Sequence, residues 1–141
     1  MVGASSQAKL LVIACGALAH EIVWLQKVNG WAQIDLQCLD AELHNKPKLI
    51  PQKLRAALEK NRGQYQYIFI GYGDCGTGGE IDRIIAQEID AGDKKIDRLP
   101  GAHCYSFYAG EERFNDLAEQ ELGTFYLTDF LVENFDRLMV K

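Results

Sequence analysis

The stretch Tyr67-Ile68-Phe69-Ile70-Gly71-Tyr72-Gly73-Asp74-Cys75-Gly76-Thr77-Gly78-Gly79 constrains the fold of this chain more than any other. An unbroken apolar run meets five glycines in nine positions, and a helical pattern opens at Glu80. A strand buried on both faces reads as such a run, and in an α/β chain a short loop then feeds it into a helix. Glycine reaches positive φ and lets a backbone approach closely, at an entropic cost that ordinary turns do not bear five times over. One carboxylate, Asp74, and one thiol, Cys75, sit inside the loop.

The rest of the chain repeats the theme. Lys9 to Ala14 is an apolar run ending at Cys15-Gly16, and Ala17 to Lys27 carries Leu18, Ile22 and Leu25 on one helical face up to the stop at Asn29-Gly30. Ala32 to Leu39 alternates as an edge strand, with Cys38 on its core face as a structural residue. The loop 40–47 holds His44, and Pro51 opens a helix with Leu54, Ala57 and Leu58 that stops near Gly63. Ile81, Ile84, Ile85 and Ile89 form a helical stripe ended by Gly92. A polar connection over 93–98 then leads to an expected fourth strand, Ala102 to Tyr108, carrying His103 and Cys104 near its start. Helices follow from Glu111 to Leu122 and from Thr128 or Asp129 onward. Such alternation predicts a single α/β domain over 9–141. It has a small parallel sheet and helices on both faces, in Rossmann-like or flavodoxin-like layering, after a loose leader at 1–8.

Composition excludes more than it identifies. A net charge of −5 gives no basic surface for nucleic acid or anionic membrane. No apolar run approaches a membrane span, and the start lacks a signal-peptide core, so the expected location is cytoplasmic. In that compartment Cys15, Cys38, Cys75 and Cys104 read as reduced thiols or metal ligands; none forms a CxxC pair.

In a parallel sheet the strand-to-helix loops share one edge, and ligands bind beyond the carboxyl ends of the strands. Cys15, His44 and the Asp74-Cys75 loop all belong to that edge, and His103 or Cys104 must reach it from a strand start, where alternation would send one of the two into the core. Thiolates with imidazole suit zinc first, then iron–sulfur or another transition metal. The expected donors are Cys15, Cys75, His103, Cys104 and His44, with Asp74 as proton acceptor. His20 reads as a surface residue. The alternative is an anion site built from Gly73, Gly76, Thr77, Gly78 and Gly79, with Cys75 as a metal-free nucleophile. Gly71-Tyr72-Gly73-Asp74-Cys75-Gly76 also matches the dinucleotide fingerprint, though after the third strand and with Asp74 set against a pyrophosphate. A third reading is an interaction protein whose motifs are mostly packing.

Taken together, Ala14-Cys15-Gly16-Ala17-Leu18, Leu43-His44-Asn45, the Tyr72–Gly79 loop, Pro100-Gly101-Ala102-His103-Cys104-Tyr105 and Gly123 to Leu131 resemble the prokaryotic family of domain of unknown function 1638. Cys38 and His20 fall outside those motifs. The resemblance implies an accessory role beside corrinoid-dependent methyl transfer, with the corrinoid held by a partner or methyltransferase protein. It also implies a domain that runs on past the last helix, whereas this chain stops at Lys141. A missing strand would leave an exposed edge, and the aromatic-rich tail adds apolar surface; both point to a homodimer or a protein partner.

Overall fold

A computed structural model describes residues 9–92 and 95–140 of the chain; the leader expected at 1–8 lies outside them. Four strands, β1 (Leu10–Cys15), β2 (Ile34–Leu39), β3 (Tyr67–Gly71) and β4 (Lys95–Arg98), form one sheet in the order β2-β1-β3-β4. Every pairing is parallel, with Ile13 beside both Gln37 and Ile70. The helices are α1 (Ala19–Asn29), α2 (Ile50–Lys60), α3 (Glu80–Asp90), α4 (Glu111–Gln120), α5 (Asp129–Glu133) and α6 (Phe135–Leu138). No helix among the described residues is long and apolar enough to cross a membrane.

Strand parity divides the sheet into two unequal faces. Leu11, Ile13 and Cys15 of β1, Ile68 and Ile70 of β3 with Tyr72 just beyond it, and Ile96 of β4 pack against Leu54, Ala57 and Leu58 of α2 and Ile81 and Ile84 of α3. These residues are the closed core; α2 supplies the stripe its sequence predicts, whereas in α3 Ile81 and Ile84 are buried, Ile85 packs at the margin and Ile89 is exposed. The other face carries Leu10, Val12 and Phe69, and α1 covers it incompletely. An apolar groove of about 380 Å³ stays open there between Val12, Ile22, Leu25, Trp31 and Phe107. α1 itself exposes Val23, Trp24 and Val28.

Two expectations are corrected. The fourth strand is Lys95–Arg98, within what reads as a polar connection, and Cys104–Tyr108 is a 3-10 turn. An edge strand needs only one buried residue, here Ile96, so its polar neighbours conceal it. The aromatic run at 104–108 owes its apolar character to neighbouring rings, not to a sheet. Cys38, expected on the core face, is exposed. It pairs with Ala14 at the outer end of the edge strand, on the face opposite the closed core.

β4 is tied to α3 by Arg98, whose guanidinium reaches both carboxylate oxygens of Asp82 at 2.6 and 3.0 Å. Its remaining nitrogen donates to the Leu99 carbonyl at 2.6 Å. The chain beyond β4 then folds back over the carboxyl edge, where the Gly73 backbone lies against it. A Cβ at Gly73 would meet the His103 nitrogen at 2.9 Å and the Gly101 oxygen at 3.0 Å, both backbone atoms that cannot yield. Gly73→Ala should therefore destabilise the protein by about 1–3 kcal/mol, the range for overpacking a close contact. Urea unfolding measures this, and a wild-type midpoint in the variant would show that the two segments do not touch.

Candidate functional site

All four strands point the same way, so the segments leaving β1, β2, β3 and β4 meet at one edge. A pocket of about 210 Å³ opens among them, lined by Cys15, His44, Tyr72, Cys75, His103 and Cys104, with Ile50, Gly76 and Tyr105 completing its wall. Each donor arrives by a different route. Cys15 is the last residue of β1, fully buried. His44 lies in the 3-10 turn Ala41–Asn45, whose N-terminus Asp40 caps by accepting from the Glu42 N–H at 2.9 Å. The Asn45 side chain donates to the Leu138 carbonyl, which ties α6 to that turn.

His103 and Cys104 come last, and their placement removes a difficulty raised by the sequence. They follow the end of β4 instead of opening a strand, so they reach the carboxyl edge as the other donors do. A 3-10 turn does not alternate, and both residues line the pocket. Ser106 closes the turn by donating its hydroxyl to the His103 carbonyl at 2.7 Å. The His103 ring stacks on Tyr105 at 4.9 Å, nearly parallel.

The glycine loop is held from outside and from within. From outside, the Asp74 and Cys75 N–H groups donate to the carbonyls of Gly101 at 2.9 Å and Ala102 at 2.8 Å. From within, the Asp74 carboxylate accepts from the Gly79 N–H at 2.7 Å, the Thr77 hydroxyl at 3.0 Å and the Gly78 N–H at 3.2 Å. The Gly79 N–H above all holds its carboxyl below the usual range. Asp74 thus occupies two N–H groups that a bound phosphate would use, and the loop carries its own anion. Asp74 is not among the residues lining the pocket. Cys75 takes φ 50°, the one positive φ outside glycine among the described residues. That conformation costs a non-glycine residue about 1–2 kcal/mol, and here it places the thiol in the pocket wall.

The three thiols form a chain with Cys104 in the middle. A hydrogen bond from Cys104 is the largest influence on both outer sulfurs. It lowers Cys15 from 9.0 to about 7 against the opposing effect of burial, and it lowers Cys75 as well. Cys104 is pushed far up, because its proton is what both neighbours need. The Tyr72 hydroxyl is buried without a partner at ordinary hydrogen-bond distance; it faces Cys15, and burial followed by the Cys15 charge keeps it protonated. Burial, then the charge of His103, keeps His44 neutral to lower pH, the form that can ligate.

A soft or borderline metal suits this donor set. Among the described residues, no three Cys, His, Asp or Glu side chains already surround one point as a coordination sphere. The three thiols instead influence one another through Cys104. His20 is exposed on α1, as its sequence context predicts. Tyr72 and Arg98 are the residues that sequence reasoning missed. Tyr72 continues the Ile68, Ile70 parity and could have been placed on the core face; nothing local marks Arg98.

A model of the family described as "Protein of unknown function (DUF1638)" matches residues 38–141, and the chain belongs to that family. The match includes His44, Cys75, His103 and Cys104 and begins beyond Cys15. No curated protein and no solved structure matches the chain.

Two outcomes follow from the thiol chain. In metal-free protein, ultraviolet thiolate absorbance should rise with a midpoint near pH 7 for Cys15, and Cys104→Ala should move that midpoint upward. The corresponding stability is fully present above the ordinary value of 9.0 and is lost as pH falls through about 7, so stability should rise with pH across that window. An unmoved midpoint in Cys104→Ala would show that the thiols do not share a proton. Separately, Cys75→Gly should be more stable than Cys75→Ala by about 1 kcal/mol in denaturant titration, since only glycine accepts the positive φ freely.

Proposed function

We propose that this member of the DUF1638 family binds a metal ion through Cys15, Cys75 and Cys104, with His44 or His103 as fourth donor and zinc as the first candidate. One observation carries the reading: three thiols from three separate segments line one pocket with two imidazoles. Bound metal is expected to replace the shared proton. Two sulfurs on one tetrahedral zinc stand about 3.8 Å apart when each bond is about 2.3 Å, which three thiols lining one pocket can approach. The lowered thiols of Cys15 and Cys75 reduce the cost of deprotonation near neutral pH. Asp74 acts in this reading as a positioning residue, shaping the loop that presents Cys75.

A metal-free nucleophile at Cys75 is the second reading, favoured by its lowered thiol and its strained backbone. Its anion site competes with Asp74 for the Gly78 and Gly79 N–H groups. The accessory role in corrinoid-dependent methyl transfer rests on the resemblance alone, with a partner supplying the corrinoid. Association belongs to the same proposal. Trp24, Val23 and Val28 beside an open apolar groove support a homodimer or a protein partner, and Phe125 and Phe135 add apolar surface on the tail.

Elemental analysis of untagged protein tests the metal reading. About one zinc per chain is expected after reconstitution and dialysis, lost in Cys75→Ser and Cys104→Ser and kept in Cys38→Ser. Absence of stoichiometric metal, with Cys75 reacting readily with an alkylating agent, would hand the site to the nucleophile reading. Light scattering of purified protein should give twice the mass of one chain, or that of a complex; a monomer at tens of micromolar would remove the association proposal.

A further inference from the structure

A second cavity, of about 320 Å³, lies between the start of α1, the turn Cys104–Tyr108, α4 and the segment entering α5. Tyr105, Tyr108, Phe114 and Tyr126 contribute to its wall, together with the carboxylates Glu21 and Asp129. Among the described residues no lysine, arginine or histidine lines it. The rings are packed against one another: Phe114 and Tyr126 at 4.7 Å, Tyr105 and Phe114 at 5.7 Å edge to face, Tyr105 and Tyr126 at 5.9 Å stacked. They are therefore held as a preformed wall.

Two polar atoms in that wall lack partners. Among the described residues, Oε2 of Glu21 and the hydroxyl of Tyr126 are both buried with no partner at ordinary hydrogen-bond distance. A carboxylate withdrawn from water with no positive partner is costly, and a neutral hydroxyl offsets only part of that cost. The Tyr108 hydroxyl faces the Glu21 carboxylate; burial, then the Glu21 charge and a hydrogen bond to it, keep the hydroxyl protonated, so it adds no competing negative charge. An anion is excluded by Glu21 and Asp129. A neutral apolar guest would leave the Glu21 charge uncompensated, and a hard metal ion would find only two carboxylates, with no group of three Cys, His, Asp or Glu side chains among the described residues to hold it. Aromatic faces carry negative charge density and attract organic cations.

We propose that this aromatic cavity binds a small organic ammonium, with Glu21 pairing its charge and Tyr105, Phe114 and Tyr126 packing its alkyl groups. The site stands independently of the metal reading, although Tyr105 lines both pockets and places the bound cation one ring away from the thiols.

Calorimetry on the full chain with choline, propylammonium and 3,3-dimethylbutan-1-ol, the uncharged isostere of choline, tests this. At least one cation should bind saturably, and the isostere should bind about tenfold more weakly than choline if choline is the cation that binds. Glu21→Gln, a change of charge without change of shape, and Tyr126→Leu should each weaken the cation at least about fivefold. Circular dichroism checks that the variants fold, and Glu21→Gln decides if Tyr126→Leu does not. Equal affinity for choline and its isostere, undiminished affinity in Glu21→Gln, or no saturation by either cation at about 10 mM would overturn the assignment.

Discussion

The site depends on two backbone hydrogen bonds, from the N–H groups of Asp74 and Cys75 to the carbonyls of Gly101 and Ala102. They join the loop after β3 to the segment after β4 at a separation that only a residue without a Cβ, Gly73, allows. Arg98 secures one side of this junction by anchoring the end of β4 to α3, and it also lies 3.4 Å from the Gly101 carbonyl. Asp74 secures the other side by closing the glycine loop on itself. The glycines are therefore spent on shape and on close approach, and the loop binds an anion that it carries in its own sequence.

With both loops fixed, the thiols have little freedom. Cys104 stands between Cys15 and Cys75, and its single proton cannot serve both outer sulfurs fully at once. Mutual repulsion opposes a second thiolate, and burial opposes each one. A cation would relieve all three costs together. In the proposed metal reading the ion meets this unmet charge, beside the neutral imidazole of His44 and the Tyr72 hydroxyl that faces Cys15.

The same turn that delivers Cys104 to one pocket delivers Tyr105 to another. Tyr105 stacks on His103 on the thiol side and on Tyr126 on the other. The two cavities thus share a wall made by a single 3-10 turn, and its rings rest on α4 through Phe114. The aromatic run at 104–108 is better understood as this partition than as a strand.

Periodicity and glycine placement were enough to determine the parallel α/β character of the chain, the central position of β3 and the edge position of β2, since apolar runs and alternation report burial on two faces or one. Strand direction alone then puts Cys15, Cys75 and His44 at one end of the sheet. Tertiary structure decided the rest. β4 is too short and too polar to register as a strand, because an edge position buries one side chain and leaves the others in water. That shift of register from 102–108 to 95–98 moves His103 and Cys104 from a strand start to the carboxyl edge. The roles of Asp74 and Arg98 were equally hidden, because both depend on which donors and acceptors lie nearby once the loops are packed. Local sequence encodes the burial of a residue's own segment; the partner of a polar group is a property of the assembled edge.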